Sequence, residues 1–353
     1  MKRGKPSFLP AGRALVSWLR AADKGSAPRA MLWAYRWKAY WFDANWRRQE
    51  TLYPATDFAG DAGRKLIFVM GFWRSGTTLL HELLAAGPGM AAPRTWQCMN
   101  PSGFRIVPPP AAGAAVARPM DALRVDALSP QEDEFALLAR GAPSVYRAWL
   151  DPRRWEELLP ALEQDTWLAL PESQWLADWR RFLGWCMPGT AEHLVIKSPN
   201  HVFRLRALQG AWPRARFVWV LRDPVDTWQS NRKMWRAMTA MYALWEGRAE
   251  DLDRLLFKAM SEYAGALEWA AERPAIFLHF DRLTANTAAE LRALTTRLQL
   301  APWESWQPLL ERRLGESAQH RHESYQSAPP LPGYARELIE RIRHLQAILA
   351  PST

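Results

Sequence analysis

The chain has 353 residues, 48% of them hydrophobic, enough to bury a large core, and this excludes a chain that is disordered throughout. With 46 Lys and Arg against 36 Asp and Glu, the formal charge is +10, an excess that suits anionic ligands, nucleic acid or acidic membrane surfaces alike. Cys98 and Cys186 stand far apart, with no second Cys or His at metal-ligand spacing, so neither a zinc site nor a disulfide framework is indicated and a cytoplasmic location is expected.

In chain order, Met1 to Lys5 are basic, but the apolar stretch from Phe8 to Ala22 is cut by Arg13 and Arg20 and lacks a cleavage site, so no signal peptide is expected. No apolar run approaches the roughly 18 to 20 residues that cross a bilayer. From Arg29 to Arg48 the chain crowds Trp33, Tyr35, Trp37, Tyr40, Trp41, Phe42 and Trp46 among Arg36, Lys38, Arg47 and Arg48. Two readings follow: a helix packed on the main domain through Trp33, Trp37 and Trp41, or a peripheral contact with the inner face of a membrane. The first is preferred, because the aromatics occupy more than one helical face. Residues 1–52 are therefore read as a basic, aromatic-rich helical segment and 53–353 as the main domain.

Four short runs, Lys65–Gly71, His193–Lys197, Arg216–Leu221 and Ala275–Phe280, have the length and content of buried strands. Between and around them, Leu79–Ala86, Trp155–Cys186, Val202–Gln209, Val225–Tyr242, Asp251–Ala271 and Thr287–Gln299 read as helices. Such alternation predicts an α/β fold, three layers with a central parallel sheet flanked by helices. The stretch from Pro101 to Pro130, rich in Pro, Ala and Gly, reads as a long irregular excursion of the kind that covers or lines a site. Each strand run ends in polar residues, and in open parallel sheets ligands bind just beyond the carboxyl ends of the strands.

The first strand leads into Gly71-Phe-Trp-Arg-Ser-Gly-Thr-Thr78 and then an apolar helix, the layout of a P-loop-type phosphate cradle in which backbone N–H groups and a helix N-terminus face an anion. A nucleoside triphosphatase needs Lys then Ser or Thr after the second glycine, but Thr77 stands in the lysine position. The cation has moved into the loop as Arg74, whose planar fork suits phosphate or sulfate oxygens. Directly after the third strand run, Arg222, Asp223 and Pro224 open a helix that carries Ser230 two turns on. Asp223 reads as N-cap and Pro224 as the first helical residue, leaving Arg222 and Ser230 to flank a second phosphate unless Arg222 pairs with Asp226.

The segments "FVMGFWRSGTTLLHELL", "LVIKSPNH" and "RARFVWVLRDPVDTWQS", in this order and spacing, resemble the sulfotransferases that use 3′-phosphoadenosine 5′-phosphosulfate (PAPS), most closely their bacterial members. The resemblance runs from about Phe68 to Leu298 and is strengthened by "RPMDALRVDALSPQEDEFAL". It implies transfer of a sulfuryl group from PAPS to an acceptor hydroxyl or amine, with PAP as the desulfated product and no metal required. By the same resemblance Arg74, Ser75, Gly76, Thr77 and Thr78 hold the 5′-phosphosulfate, Arg222 and Ser230 hold the 3′-phosphate, and Lys197 stands near the bridging oxygen. Arg74 and Lys197 are then the candidates for stabilising charge on the leaving group.

The acceptor must lose a proton as the new S–O bond forms, which calls for a carboxylate or imidazole within reach. Relatives place a histidine two residues past the strand-end lysine, where this chain has Pro199, with His201 two residues further on. Others use a glutamate on the segment after the first helix, where this chain carries Gln97, which accepts no proton. Glu132, Asp133 and Glu134 remain, Glu132 first among them, with His81 as a further option. An alternative role for the acidic triplet is charge placement at a helix N-terminus beginning near Ser129.

The 21 tryptophans could wall a pocket for a sugar, a phenol or a lipid, and also serve as core and cover. The run from His320 to Gln326 resembles a C-terminal motif of relatives and has no assigned role. A nucleotide-dependent kinase and a non-catalytic anion- or nucleic-acid-binding protein are the competing classes. The first lacks its loop lysine; the second lacks any nucleic-acid-reading motif, so no nucleic-acid partner is expected.

Overall fold

The structure is a computed structural model and describes residues 9–21, 29–54, 65–111, 113, 115–118, 124–172, 175–317 and 330–350. The run from His320 to Gln326 lies outside the described residues. The chain forms two compact units, the first from residues 1–60, 93–187 and 233–255 and the second from 61–92, 188–232 and 256–353.

The described strands in chain order are β1 (Lys65–Met70), β2 (Met90–Ala91), β3 (Val116–Ala117), β4 (Arg124–Val125), β5 (His193–Lys197), β6 (Arg216–Leu221) and β7 (Ile276–His279). The second unit is built on a five-stranded sheet in the order β2-β5-β1-β6-β7, in which every pairing is parallel. All four strand runs expected from sequence are present; β2, only two residues long, gave no apolar run to read. Val, Ile, Leu and Phe dominate β1, β5 and β6 because both sheet faces are covered, so the strands are near-continuously apolar instead of alternating. The helices Thr77–Ala85, Phe280–Ala285, Thr287–Leu298 and Trp303–Ser317 supply Leu80, Leu84, Leu283, Leu294, Leu298, Trp306 and Leu310 to one core with Ile67, Val195, Val218 and Leu278.

This topology decides where a ligand can go. After β1 the chain moves to one side of the sheet, to β2 and then β5, and afterwards crosses to the other side, to β6 and β7. The order reverses at β1, so a crevice opens beyond the carboxyl ends of β1 and its neighbours β5 and β6. Register aligns those ends: Val69 pairs with Lys197, and Met70 with Trp219.

The first unit is largely helical. Its N-terminal helices, Arg13–Ala21 and Arg29–Leu52, bury Leu15, Val16 and Leu19 from one and Leu32, Tyr35, Ala39, Phe42, Trp46 and Gln49 from the other. The expected packing through Trp33, Trp37 and Trp41 is therefore corrected: all three are exposed. Positions 32, 35, 39, 42, 46 and 49 follow the helical repeat, which fixes the buried face regardless of where the largest rings lie. Tyr35, fully buried, is pushed up to about 12 by desolvation.

A second correction concerns Trp155–Cys186, expected as one helix. The segment breaks into a 3₁₀ turn Pro152–Leu162 and the helices Gln164–Ala169 and Leu176–Cys186. Leu170 is extended (φ −70°, ψ 131°) ahead of Pro171, whose ring disfavours helical backbone in the preceding residue. Aromatic pairs hold the pieces: Trp167 against Trp175 at 4.9 Å and Trp175 against Trp179 at 5.9 Å. Tyr146 stacks on Trp149 at 3.8 Å and Trp149 meets Trp235 at 5.6 Å, so these tryptophans serve the core. Among the described residues of the excursion 101–130, 101–106 form turns and the β3–β4 pair forms an antiparallel ladder.

Trp306 is fully buried and lies so close to Gly87 that a Cβ there would stand 2.1 Å from its ring. Trp306→Ala should destabilise the protein by about 3–5 kcal/mol, the range for emptying a packed aromatic site. A urea titration showing less than about 1 kcal/mol would mean that the helix carrying it contributes little to the core.

Candidate active site

The loop after β1 is anchored by its aromatic residues. Phe72 and Trp73 are buried, with ring centroids 4.8 Å apart; Phe72 lies 5.3 Å from Tyr263 and Trp73 lies 5.4 Å from Phe203. Asn231 donates through Nδ2 to the Trp73 carbonyl at 2.7 Å, tying the loop to the helix Pro224–Tyr242. Between these fixed points the backbone turns sharply. Gly71 (φ 149°) and Gly76 (φ 97°) adopt positive φ, and a Cβ at Gly71 would come within 2.5 Å of Ser75 Oγ and 2.8 Å of the Val220 carbonyl.

Arg74 shares this conformation, at φ 68°, although it carries a side chain. A non-glycine residue there costs on the order of 1–3 kcal/mol and persists only where its surroundings fix it. Two bonds do so. Arg74 Nε donates to Ser230 Oγ at 3.0 Å, and Arg222 Nη1 donates to the Arg74 carbonyl at 3.0 Å. The sequence-predicted residues Arg74, Arg222 and Ser230 are thus brought into one hydrogen-bonded cluster. The alternative pairing of Arg222 with Asp226 is not formed; Asp223 caps the helix instead, accepting from the N–H of Val225 at 2.8 Å and of Asp226 at 3.1 Å.

Gly76 caps the helix Thr77–Ala85, leaving the first-turn N–H groups directed at the loop. Ser75 and Thr77 are buried, and Ser75 Oγ has no hydrogen-bond partner among the described residues. A buried hydroxyl without a partner is costly unless a ligand supplies one. Lys197, at the end of β5, is buried and donates through Nζ to Thr78 Oγ1 at 3.2 Å, so a second cation joins the same loop. Two arginines, a lysine, an orphaned hydroxyl and a helix N-terminus fit a phosphate- or sulfate-bearing ligand.

Several supporting residues carry no local signal in the sequence. Phe280, just past β7, lies 4.9 Å beneath the Arg222 guanidinium and fills the space a Cβ at Gly76 would need, 2.1 Å away. Gln346, on the helix Arg336–Leu349, donates to the Arg222 carbonyl at 3.0 Å, and Arg343 on that helix pairs with Asp223 at 2.9 Å. Asn200, three residues beyond Lys197, is buried with neither amide atom partnered among the described residues.

The candidate bases divide by environment. His81 is buried with Nε2 3.4 Å from the Val195 carbonyl, and His201 is fully buried with its ring 5.6 Å from that of Phe68, so both are part of the sheet's packing. Glu132, Asp133 and Glu134 belong to the first unit and are described within it. Asp133 is fully buried and accepts from Trp179 Nε1 at 2.6 Å; Glu134 is fully buried and begins the helix Glu134–Arg140. Glu132 alone is partly accessible, and it accepts from the Tyr146 hydroxyl at 2.7 Å. Ser129 bonds to Asp126, holding that carboxyl below its ordinary range, and is not the cap of the helix. Gln97 accepts from the Arg94 N–H at 2.8 Å, a capping role.

Comparison with known proteins identifies the family and the fold. The profile of the sulfotransferase family matches residues 67–305. The omega-hydroxy-beta-dihydromenaquinone-9 sulfotransferase Stf3 of Mycobacterium bovis, and that of Mycobacterium tuberculosis, are each 30% identical over 272 residues, covering 74% of this chain and 69% of theirs. Among solved structures, sulfotransferase STF9 from Mycobacterium avium superposes with a TM-score of 0.59 at 17% identity, covering 86% of this chain and 79% of that one. Sulfotransferase STF1 from M. tuberculosis gives 0.58 at 16% identity, covering 95% and 93%. These two likenesses speak for the fold, a parallel sheet with the phosphate loop at its switch point. With the family profile spanning β1 through the helix Thr287–Leu298, the chain belongs to the sulfotransferase family and transfers a sulfuryl group from PAPS.

Proposed function

We propose that the Arg74 loop binds the 5′-phosphosulfate of PAPS through Arg74, Ser75, Gly76, Thr77 and Thr78, that Arg222 and Ser230 bind its 3′-phosphate, and that the acceptor is an amphiphilic alcohol. The observation that carries the donor assignment is the buried, unpartnered Ser75 Oγ on a strained loop held by Arg222 and Ser230. PAPS supplies the sulfuryl group, which leaves its phosphate oxygen as the acceptor oxygen attacks sulfur in line. Negative charge then grows on the departing phosphate. Arg74, on the loop, and Lys197, at the end of β5, are fixed before the reaction and stabilise that charge without reorganising, which makes this kind of assistance effective. Phosphoryl transfer is the nearest template, but the sulfuryl group carries less charge.

The proton released by the acceptor goes to Glu132. Within its triplet, Glu132 alone is neither fully buried nor at the start of a helix, and its hydrogen bond from Tyr146 holds its orientation. An alcohol of lipid character is favoured because the Stf3 relatives are named for a hydroxylated menaquinone derivative and because this chain's helix Arg29–Leu52 carries exposed aromatic residues. The enzyme would then act at the inner face of a membrane without spanning it; no described helix is long and apolar enough to cross one.

Transfer of radiolabelled sulfate from PAPS to a panel of phenols, sugars and isoprenoid alcohols tests the acceptor class. Label is expected in the isoprenoid fraction, and label confined to sugars would reject the amphiphile. With that acceptor, Arg74→Ala should lower kcat by about 100- to 1000-fold, as for removing a preorganised charge-stabilising donor. Arg222→Ala should instead raise KM for PAPS by roughly tenfold or more, the loss of charge-assisted hydrogen bonds. Near-parental turnover in Arg74→Ala would remove that residue from the mechanism. Glu132→Gln should lower kcat by about 100- to 10,000-fold, whereas parental activity would exclude Glu132 as the base.

A further inference from the structure

We propose that the outward face of the helix Arg29–Leu52 is a docking surface for an anionic lipid bilayer. At the 100° per residue of an α-helix, Trp33, Trp37, Tyr40 and Trp41 fall within an arc of about 100°. Leu32, Tyr35, Ala39, Phe42, Trp46 and Gln49 occupy the opposite side, where they are buried in their own unit. The four outward rings are 65%, 66%, 53% and 49% exposed, values unusual for side chains of this size on one helix. They form a continuous cluster: Trp37 lies 6.5 Å from Tyr40 and 5.9 Å from Trp41, and Tyr40 lies 5.9 Å from Trp41.

Charge selects the occupant. Arg36 stands over the Trp33 ring at 4.7 Å, and Arg47 and Arg48 continue the same face one to two turns further on, both exposed. The helix carries two acids, Asp43 and Glu50, and both are engaged within the unit: Asp43 with Arg13 at 3.3 Å and Arg140 at 3.7 Å, Glu50 with Arg181 at 2.8 Å. The outward face is therefore aromatic and cationic. Tryptophan and tyrosine settle at the boundary between headgroups and acyl chains, where an apolar ring and a polar N–H or O–H are both accommodated, while arginine reaches the phosphates. A second copy of the chain fits less well, since pairing like faces would set Arg36, Arg47 and Arg48 against their own counterparts. The helix meets the bilayer edge-on along its length, and the chain binds as a peripheral protein.

The test is co-flotation of the full chain with vesicles of phosphatidylcholine alone and with phosphatidylglycerol added, at low and high salt. The parent should float with the phosphatidylglycerol vesicles and much less with phosphatidylcholine, and salt should weaken the association. Trp33→Ala/Trp37→Ala/Trp41→Ala should reduce vesicle affinity at least tenfold, and Arg36→Glu/Arg47→Glu/Arg48→Glu should abolish the preference for anionic lipid. Circular dichroism and PAP affinity should match the parent in both variants, so the result is independent of the donor-site assignment. If the aromatic variant fails to fold, the charge-reversal variant decides alone. The proposal is overturned if the parent stays unbound, if the variants float like the parent, or if the parent is a dimer in lipid-free buffer that the aromatic substitutions dissociate, which would make this face a self-interface.

Discussion

Arg74 sits in a left-handed backbone conformation that its own side chain disfavours, and much of the second unit is arranged so that it stays there. Its side chain is received by Ser230 and its carbonyl by Arg222. Those partners are themselves held: Arg222 by the Phe280 ring and by Gln346 at its carbonyl, and Ser230 by a helix whose start is capped by Asp223, which also pairs with Arg343. Strain at one residue is thus spread over contacts from β1, β6, β7 and the C-terminal helix. Such pre-organisation is useful where charge must be stabilised as it forms, because the donors need no rearrangement at that moment.

The sheet makes this economy of parts workable. Parallel strands bring the Arg74 loop together with Lys197 and Arg222, both more than a hundred residues further along the chain, at the carboxyl ends of neighbouring strands. Replacing the loop lysine of a nucleotide-hydrolysing cradle by Thr77, and placing arginine three residues earlier, exchanges a point charge for a planar fork. The fork suits a phosphosulfate, and the backbone turn that carries it depends on Gly71 and Gly76, where any side chain would collide with Ser75 or Phe280.

Much of this was legible from residue order. The four strand runs, the glycine positions and the Asp223–Pro224 helix start each follow from local chemistry, and the structure has them all. What escaped is non-local. Phe280, Asn231 and Gln346 act on the loop from a distance along the chain and carry no pattern that marks them. The helix expected over Trp155–Cys186 was misread because its apolar spacing persists through Pro160 and Pro171, where the backbone does not. The outward tryptophans are misassigned for a different reason: aromatics on more than one helical face suggest packing, whereas the repeat of Leu32, Tyr35, Ala39, Phe42 and Trp46 sets which side of the helix faces inward.

The donor site is the claim on which the rest depends, and calorimetric titration with PAP, in parallel with ATP and magnesium and with chelator present, tests it most directly. PAP should bind without added metal, ATP should bind far more weakly, and the PAP signal should be lost in Arg222→Ala. Preference for magnesium-ATP, or PAP binding indifferent to Arg222, would contradict the assignment of the Arg74 loop and its partners to the sulfuryl donor.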